Sequence, residues 1–186
     1  MLHQLRLRNF KNFSDATLQV GPFTLLIGAN AAGKSNLRDA LNFLRGIAYP
    51  LSLLEVLNGS SVTAPVFRWS GIRGGHRGIT FQNTGHFALE ITLSVPFAKT
   101  FAKANYHIEV AIDLNTNAPK ITFERLALDG ESDPIFEAKP ASKAGLLTVL
   151  SRGQPSYRWL GTDTSFFEQQ AVMIASASFA PKISKA

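Results

Sequence analysis

The sequence predicts an α/β fold in which a strand–loop–helix unit is joined to a largely antiparallel β sheet. Three observations predict it. Leu37, Ala40, Leu41, Leu44 and Ala48 recur at the spacing of one apolar helix face. The run Phe23-Thr24-Leu25-Leu26-Ile27 stands before that face and reads as a short buried strand, with a glycine-bearing turn between them. Beyond residue 78 the period changes to two, over stretches separated by turns and not by helices, which implies an antiparallel sheet or meander.

The elements follow in order. Leu2 to Arg8 alternates, with Leu5 and Leu7 apolar, and reads as a strand. Asn9 to Asp15 is a turn carrying Phe10 and Phe13, and Ala16 to Val20 alternates again. Gly21-Pro22 turns the chain into the strand at 23–27. After the first helix, Leu51, Leu53, Leu54, Val56 and Leu57 predict a second, ending near Asn58-Gly59. Residues 67–78 form a loop rich in glycine and basic side chains. Strands are predicted at 79–82, 87–95, 106–112, 120–128 and 146–150, with turns at 83–85, 115–117 and 129–130. Asp163-Thr164 caps a last helix over 164–176, and 179–186 is a frayed tail. The chain is thus expected to be one lobe over 1–186: a core at 1–48, an antiparallel subdomain at 66–150 and the terminal helix.

Composition bounds the function. The chain has 186 residues, 45% of them hydrophobic, enough for a single packed core. It has no cysteine, so disulfides, thiolate chemistry and zinc–thiolate sites are excluded. That fits a reducing cytoplasm. No apolar run reaches the length of a membrane span, and the N-terminus lacks the apolar stretch of a signal peptide. The net charge of +6 favours polyanionic partners.

Gly28-Ala29-Asn30-Ala31-Ala32-Gly33-Lys34-Ser35 satisfies G-x-x-x-x-G-K-[ST], the loop that wraps nucleotide phosphates. The order strand, glycine loop, helix is the context this motif needs. Gly28 and Gly33 let the backbone bend so that successive N–H groups face an anion. The helix N-terminus adds free N–H groups and a positive dipole end. Lys34 is expected at the β- and γ-phosphates, and the Ser35 hydroxyl on Mg²⁺.

Residues 1–48 resemble the opening of RecF/SMC-type ATPases, the ABC-like branch that includes OLD-family proteins. The resemblance rests on the basic first strand, the turn Arg8-Asn9-Phe10-Lys11-Asn12-Phe13, and Ile27-Gly28-Ala29-Asn30-Ala31-Ala32-Gly33-Lys34-Ser35-Asn36 followed by Leu37-Arg38-Asp39-Ala40-Leu41. It implies a head domain that binds ATP and Mg²⁺ and closes as a dimer over two nucleotides. It also implies that Arg8, Asn9, Lys11, Asn12 and Asn36 lie near the nucleotide. Over 49–186 the likeness is architectural only.

The chain departs from that pattern in its second half. Complete members carry a signature motif and a strand ending in Asp-Glu, whose Glu polarises the attacking water. No such strand is present, and Asp113, which comes nearest, reads as a turn residue. Leu150-Ser151-Arg152-Gly153-Gln154 has the letters of a signature with a strand-like run before it and Pro155 after it, and reads as a coincidence. The chain therefore reads as the first half of a head, with the catalytic half elsewhere in a longer protein or on a second polypeptide. Arg73, His76 and Arg77 are candidates for gripping phosphate, of nucleotide or nucleic acid, or a partner subunit. Gln82, Gln169 and Gln170 are each candidates for a residue that senses Mg²⁺ and the γ-phosphate. His3, His86 and His107 lack metal-ligand spacing, and Trp69 and Trp159 read as core or partner-facing.

The expected function is ATP binding that drives dimer closure on DNA or an effector protein, in DNA repair or phage defence. The isolated chain is expected to hydrolyse ATP poorly. Two other classes stay open: a scaffold that binds nucleotide without hydrolysing it, and a small P-loop kinase.

Overall fold

The computed structural model describes residues 1–49, 51–60, 68–97, 100–113, 115–141, 146–151 and 154–161. The strands are β1 (Leu2–Phe10), β2 (Phe13–Gln19), β3 (His86–Phe97), β4 (Thr100–Ile112), β5 (Pro119–Leu128), β6 (Phe136–Pro140), β7 (Leu146–Ser151) and β8 (Gln154–Gly161). They make one sheet in the order β2-β1-β3-β4-β5-β6-β7-β8, with each neighbouring pair antiparallel. The chain leaves this sheet after β2 and returns on the far side of β1. That excursion holds the glycine loop, α1 (Lys34–Gly46) and α2 (Leu53–Asn58).

Both helices join the core formed by one face of the sheet. Leu5, Leu7, Phe10, Phe87, Leu89, Ile108 and Val110 are buried there with Ala40 and Phe43 of the first helix, Ile47 at its C-cap, and Leu53, Val56 and Leu57 of the second. The ring of Phe87 takes Phe10 at 5.6 Å and Phe43 at 5.2 Å, both edge-on, the favoured arrangement for aromatic pairs. The opposite face carries charges matched across strands. Arg6 meets Asp15 at 2.7 Å, Arg8 meets Glu90 at 2.8 Å, and Arg125 meets Glu137 at 3.4 Å.

Helix α2 starts on a capping box. The Ser52 hydroxyl accepts from the N–H of Glu55, whose carboxylate accepts from the N–H of Ser52, so free donors are satisfied reciprocally. Gly59 ends the helix at φ 96°, where a side chain would be strained and would also press on the backbone of Trp69 and Ser70.

The structure corrects several expectations. Residues 23–27 carry no strand pairing, and Phe23 and Ile27 are 85% and 86% exposed, so the expected buried strand is absent from the sheet. Among the described residues no strand pairs with it, and Leu26 and Ile27 face β1 and β2 only across a cavity shared with Leu5, Leu7 and Leu18. Leu41 and Ala48 are exposed, and Phe43 and Ile47 are buried instead, because the helix presents the row 37, 40, 43 and 47 to the sheet. Residues 79–82 contribute only a bridge from Thr80 to Phe10, because Gln82 (φ 45°) and Asn83 (φ 58°) turn the chain. Strands β6 and β8 lie outside the ranges that alternation predicts. The first is short and ends on Pro140, and the second holds Pro155; proline interrupts the ladder and masks the pattern. The β1–β2 hairpin shares one sheet with all later strands among the described residues. The helix expected at 164–176, with Gln169 and Gln170, and the tail lie outside the described residues.

Candidate functional site

The glycine loop ends on Gly33, whose φ of 89° makes it the N-cap of α1. A Cβ there would come within 3.0 Å of Asn12 Nδ2 and of the Phe13 ring. Glycine is required at this position for both backbone conformation and space. No side chain caps the helix, so its first N–H groups face the loop and are free to meet an anion. The second left-handed residue of the loop is Ala31, at φ 68°, and not Gly28. Lys34 folds back over the loop and donates from Nζ to the carbonyls of Gly28 and, at 2.7 Å, Ala29.

These residues open on a cleft of about 370 Å³ lined by Asn12, Asn30, Ala31, Ala32, Gly33, Lys34, Ser35, Asn36 and Arg73. The lining is cationic and amide-rich, with no carboxylate. Most of the predicted loop residues therefore meet around one cavity. Of the expected flanking residues, Asn12 and Asn36 join it, and Asn36 Nδ2 donates to Asn12 Oδ1 at 2.7 Å.

The other predicted contacts are placed elsewhere. Asn9, at φ 51°, has its amide 2.9 Å from His86 Nε2. Strict alternation from Leu5 and Leu7 would bury residue 9 and expose residue 10. The left-handed turn at Asn9 reverses this, and Phe10 is fully buried. Arg8 lies in the charged face with Glu90 and Glu109. Lys11 turns its ammonium to Asp39, at 3.1 Å, and to the carbonyl of Arg73. His76 pairs with Asn58 through its backbone N–H and its ring. Arg77 is exposed in a short 3₁₀ turn outside the cleft.

Ser35 is exposed in the cleft on the first turn of α1. Its hydroxyl is a hard oxygen donor of the kind Mg²⁺ accepts, and the cleft lining offers no carboxylate beside it. Among the described residues no cluster of three or more His, Asp or Glu side chains could hold a metal by itself.

Asp113, the nearest catalytic candidate, caps the turn after β4. It accepts from Lys120 Nζ at 2.7 Å and from the N–H groups of Asn115 and Thr116. Lys120 first, then the Thr116 and Asn115 amides, hold its carboxyl well below the usual range. It is a turn residue and lies outside the cleft. Leu150 and Ser151 end β7, and Ser151 pairs with Gln154 of β8. The described ends of the signature-like letters thus lie in two antiparallel strands. Gln82 stands in a 3₁₀ turn. Trp69 is buried and donates from Nε1 to Val56 O at 2.9 Å. No helix among the described residues is long and apolar enough to cross a membrane.

Residues 1–124 match the model of the AAA ATPase domain family. The DNA replication and repair protein RecF of Lactococcus lactis is 31% identical over 106 residues, covering 56% of this chain and 27% of the relative. The structural maintenance of chromosomes protein 1 of Caenorhabditis elegans is 38% identical over 73 residues, 35% of this chain and 6% of the relative. The OLD nuclease of Thermus scotoductus is 36% identical over 50 residues, 27% of this chain and 10% of the relative. The matched segments thus span about a quarter of RecF and a tenth or less of the other two. By its matched family and these relatives, the chain belongs to the AAA ATPase domain family, in the branch of SMC, RecF and OLD-like ATPases.

Proposed function

We propose that this chain binds ATP–Mg²⁺ in the cleft above α1 and serves as the N-terminal lobe of an SMC/RecF/OLD-like ATPase head. The observation that carries this is the cleft itself: an uncapped helix start, Lys34 and Arg73 around one cavity with no carboxylate in its lining. Such a site suits an anion. In this reading the backbone of 28–33 wraps the phosphates. Lys34 exchanges its two carbonyl partners for the β- and γ-phosphates, and Arg73 adds a second cation. Ser35 holds Mg²⁺, whose role is to draw off charge from the phosphate oxygens.

The same lining lacks a group to activate water. Hydrolysis then needs a carboxylate from a further segment or a second polypeptide. The exposed apolar side chains of Phe23, Leu25, Leu26 and Ile27 support a further layer that packs against them, since contiguous exposed apolar surface marks a contact site. Closure of two such heads over nucleotide would act on DNA or on an effector protein. The names of the SMC and RecF relatives favour DNA, and repair and phage defence are the settings that follow from the resemblance. A cytoplasmic location fits this reading.

Calorimetry with ATP–Mg²⁺ on this chain and on Lys34→Ala, with phosphate release followed in parallel, tests the proposal. Binding that is lost in the variant, with negligible release from either, is the expected result. Release at the rate of a complete enzyme would overturn the half-site reading. A second reading, a nucleotide-responsive scaffold that never hydrolyses, is favoured by the same carboxylate-free lining. It is separated by adding the complementary segment and finding assembly without release.

A further inference from the structure

Asp39 is a buried carboxylate on α1 that the nucleotide reading leaves without a task. Its side chain is 5% exposed, and its Oδ2 meets Lys11 Nζ at 3.1 Å and Arg73 Nη2 at 3.3 Å. Lys11 is equally hidden, at 7%, and its ammonium also donates to the backbone carbonyl of Arg73. Its backbone N–H donates to Ile79 O at 2.7 Å. The turn between β1 and β2 thus grips the 71–79 loop at both ends. Arg73 Nη2 in addition donates to Asn36 Oδ1, one helical turn before Asp39. The Arg73 side chain is nevertheless 58% exposed, on the edge of the cleft.

We infer that Lys11 and Asp39 are a positioning pair that holds the Arg73 loop against α1 and aims the Arg73 guanidinium at the phosphates. The inference rests on the proposed nucleotide site. The charges explain why a pair is needed. A lone carboxylate would fix Arg73 but cancel its charge toward an incoming anion. Lys11 neutralises Asp39, so the group as a whole keeps the one positive charge that Arg73 contributes. Burial of the pair removes competing water and holds one geometry. Arg73 touches the ligand, and Lys11 and Asp39 act through it.

Two measurements on the full chain test this. Hydrogen exchange follows residues 71–79 in the wild type, in Asp39→Asn and in the double variant Lys11→Met/Asp39→Leu. The double variant removes both buried charges together, which protein cores tolerate better than one unpaired charge. Exchange in that segment is expected to rise about tenfold, with β3–β5 unchanged; unchanged exchange there overturns the inference. Calorimetry then compares ATP–Mg²⁺ binding by Asp39→Asn, Arg73→Ala and Asp39→Asn/Arg73→Ala. Each single variant should lose about tenfold in affinity, as for a charged hydrogen bond, and the pair no more than the worse single. Losses that multiply would show that Asp39 does not act through Arg73 and would overturn the inference. If the wild type shows no Lys34-dependent binding, the nucleotide reading fails by itself, and exchange alone decides whether the pair holds the loop.

Discussion

Single residues in left-handed backbone shape this site. Gly33 and Ala31 both have positive φ, but only one is glycine. An alanine in that region carries about 1 kcal/mol of strain. Ala31→Gly is therefore expected to leave stability unchanged or raise it by up to about 1 kcal/mol, read as a higher melting temperature. Gly33→Ala should do the opposite, because it adds strain and pushes a methyl group into Asn12 and Phe13. Loss of both stability and ATP binding in that variant is the outcome to check by melting and calorimetry. Asn9 shows the same principle on the other side of the hairpin. Asparagine tolerates the left-handed region, so one residue can redirect Phe10 into the core.

The second helix is short, and its ends decide whether it forms. With six residues it is too short to persist without caps and packing. Ser52→Ala should cost about 1 kcal/mol, measured by denaturant unfolding at neutral pH. The carboxyl of Glu55 is held below its ordinary value, first by the backbone N–H of Ser52 and then by its hydroxyl. A depressed folded-state value contributes stability that is full above the unfolded value of about 4.3 and is lost as pH falls through and below it. Melting temperature should accordingly fall from pH 5 toward pH 3, and Glu55→Gln should flatten part of that fall. The letters S-x-x-E that announce this cap stand in plain view at 52–55. The helix itself was legible from its leucines and from Asn58-Gly59, but its start was not placed without the cap.

Across the whole molecule, both helices pack on one face of the sheet, and the segment before the glycine loop is left bare. Phe23 and Ile27 are so exposed that replacing them should hardly affect the chain's own stability. Phe23→Ser and Ile27→Ser are expected to shift it by less than about 0.5 kcal/mol. The same variants should weaken association with a complementary catalytic segment, seen as loss of a complex on size-exclusion chromatography. A large drop in melting temperature would mean that these side chains already have a packing partner in this chain.

The glycine loop, the helix after it and most strands could be read from the residues because each depends on local chemistry. Glycine conformations, a lysine at a fixed spacing and a period of two are all set within a few neighbours. The identity of the flanking site residues was not local. Asn9, Lys11 and Asn12 are near neighbours in the chain, yet only Asn12 lines the cleft. Their directions depend on the left-handed turns at Asn9 and Lys11 and on where Asp39 and Arg73 wait to receive them. Likewise the apolar run 23–27 has the composition of a buried strand, but a strand is buried only when another surface covers it. Pairing partners distant in sequence decide that, and hydropathy along a single segment holds no record of them.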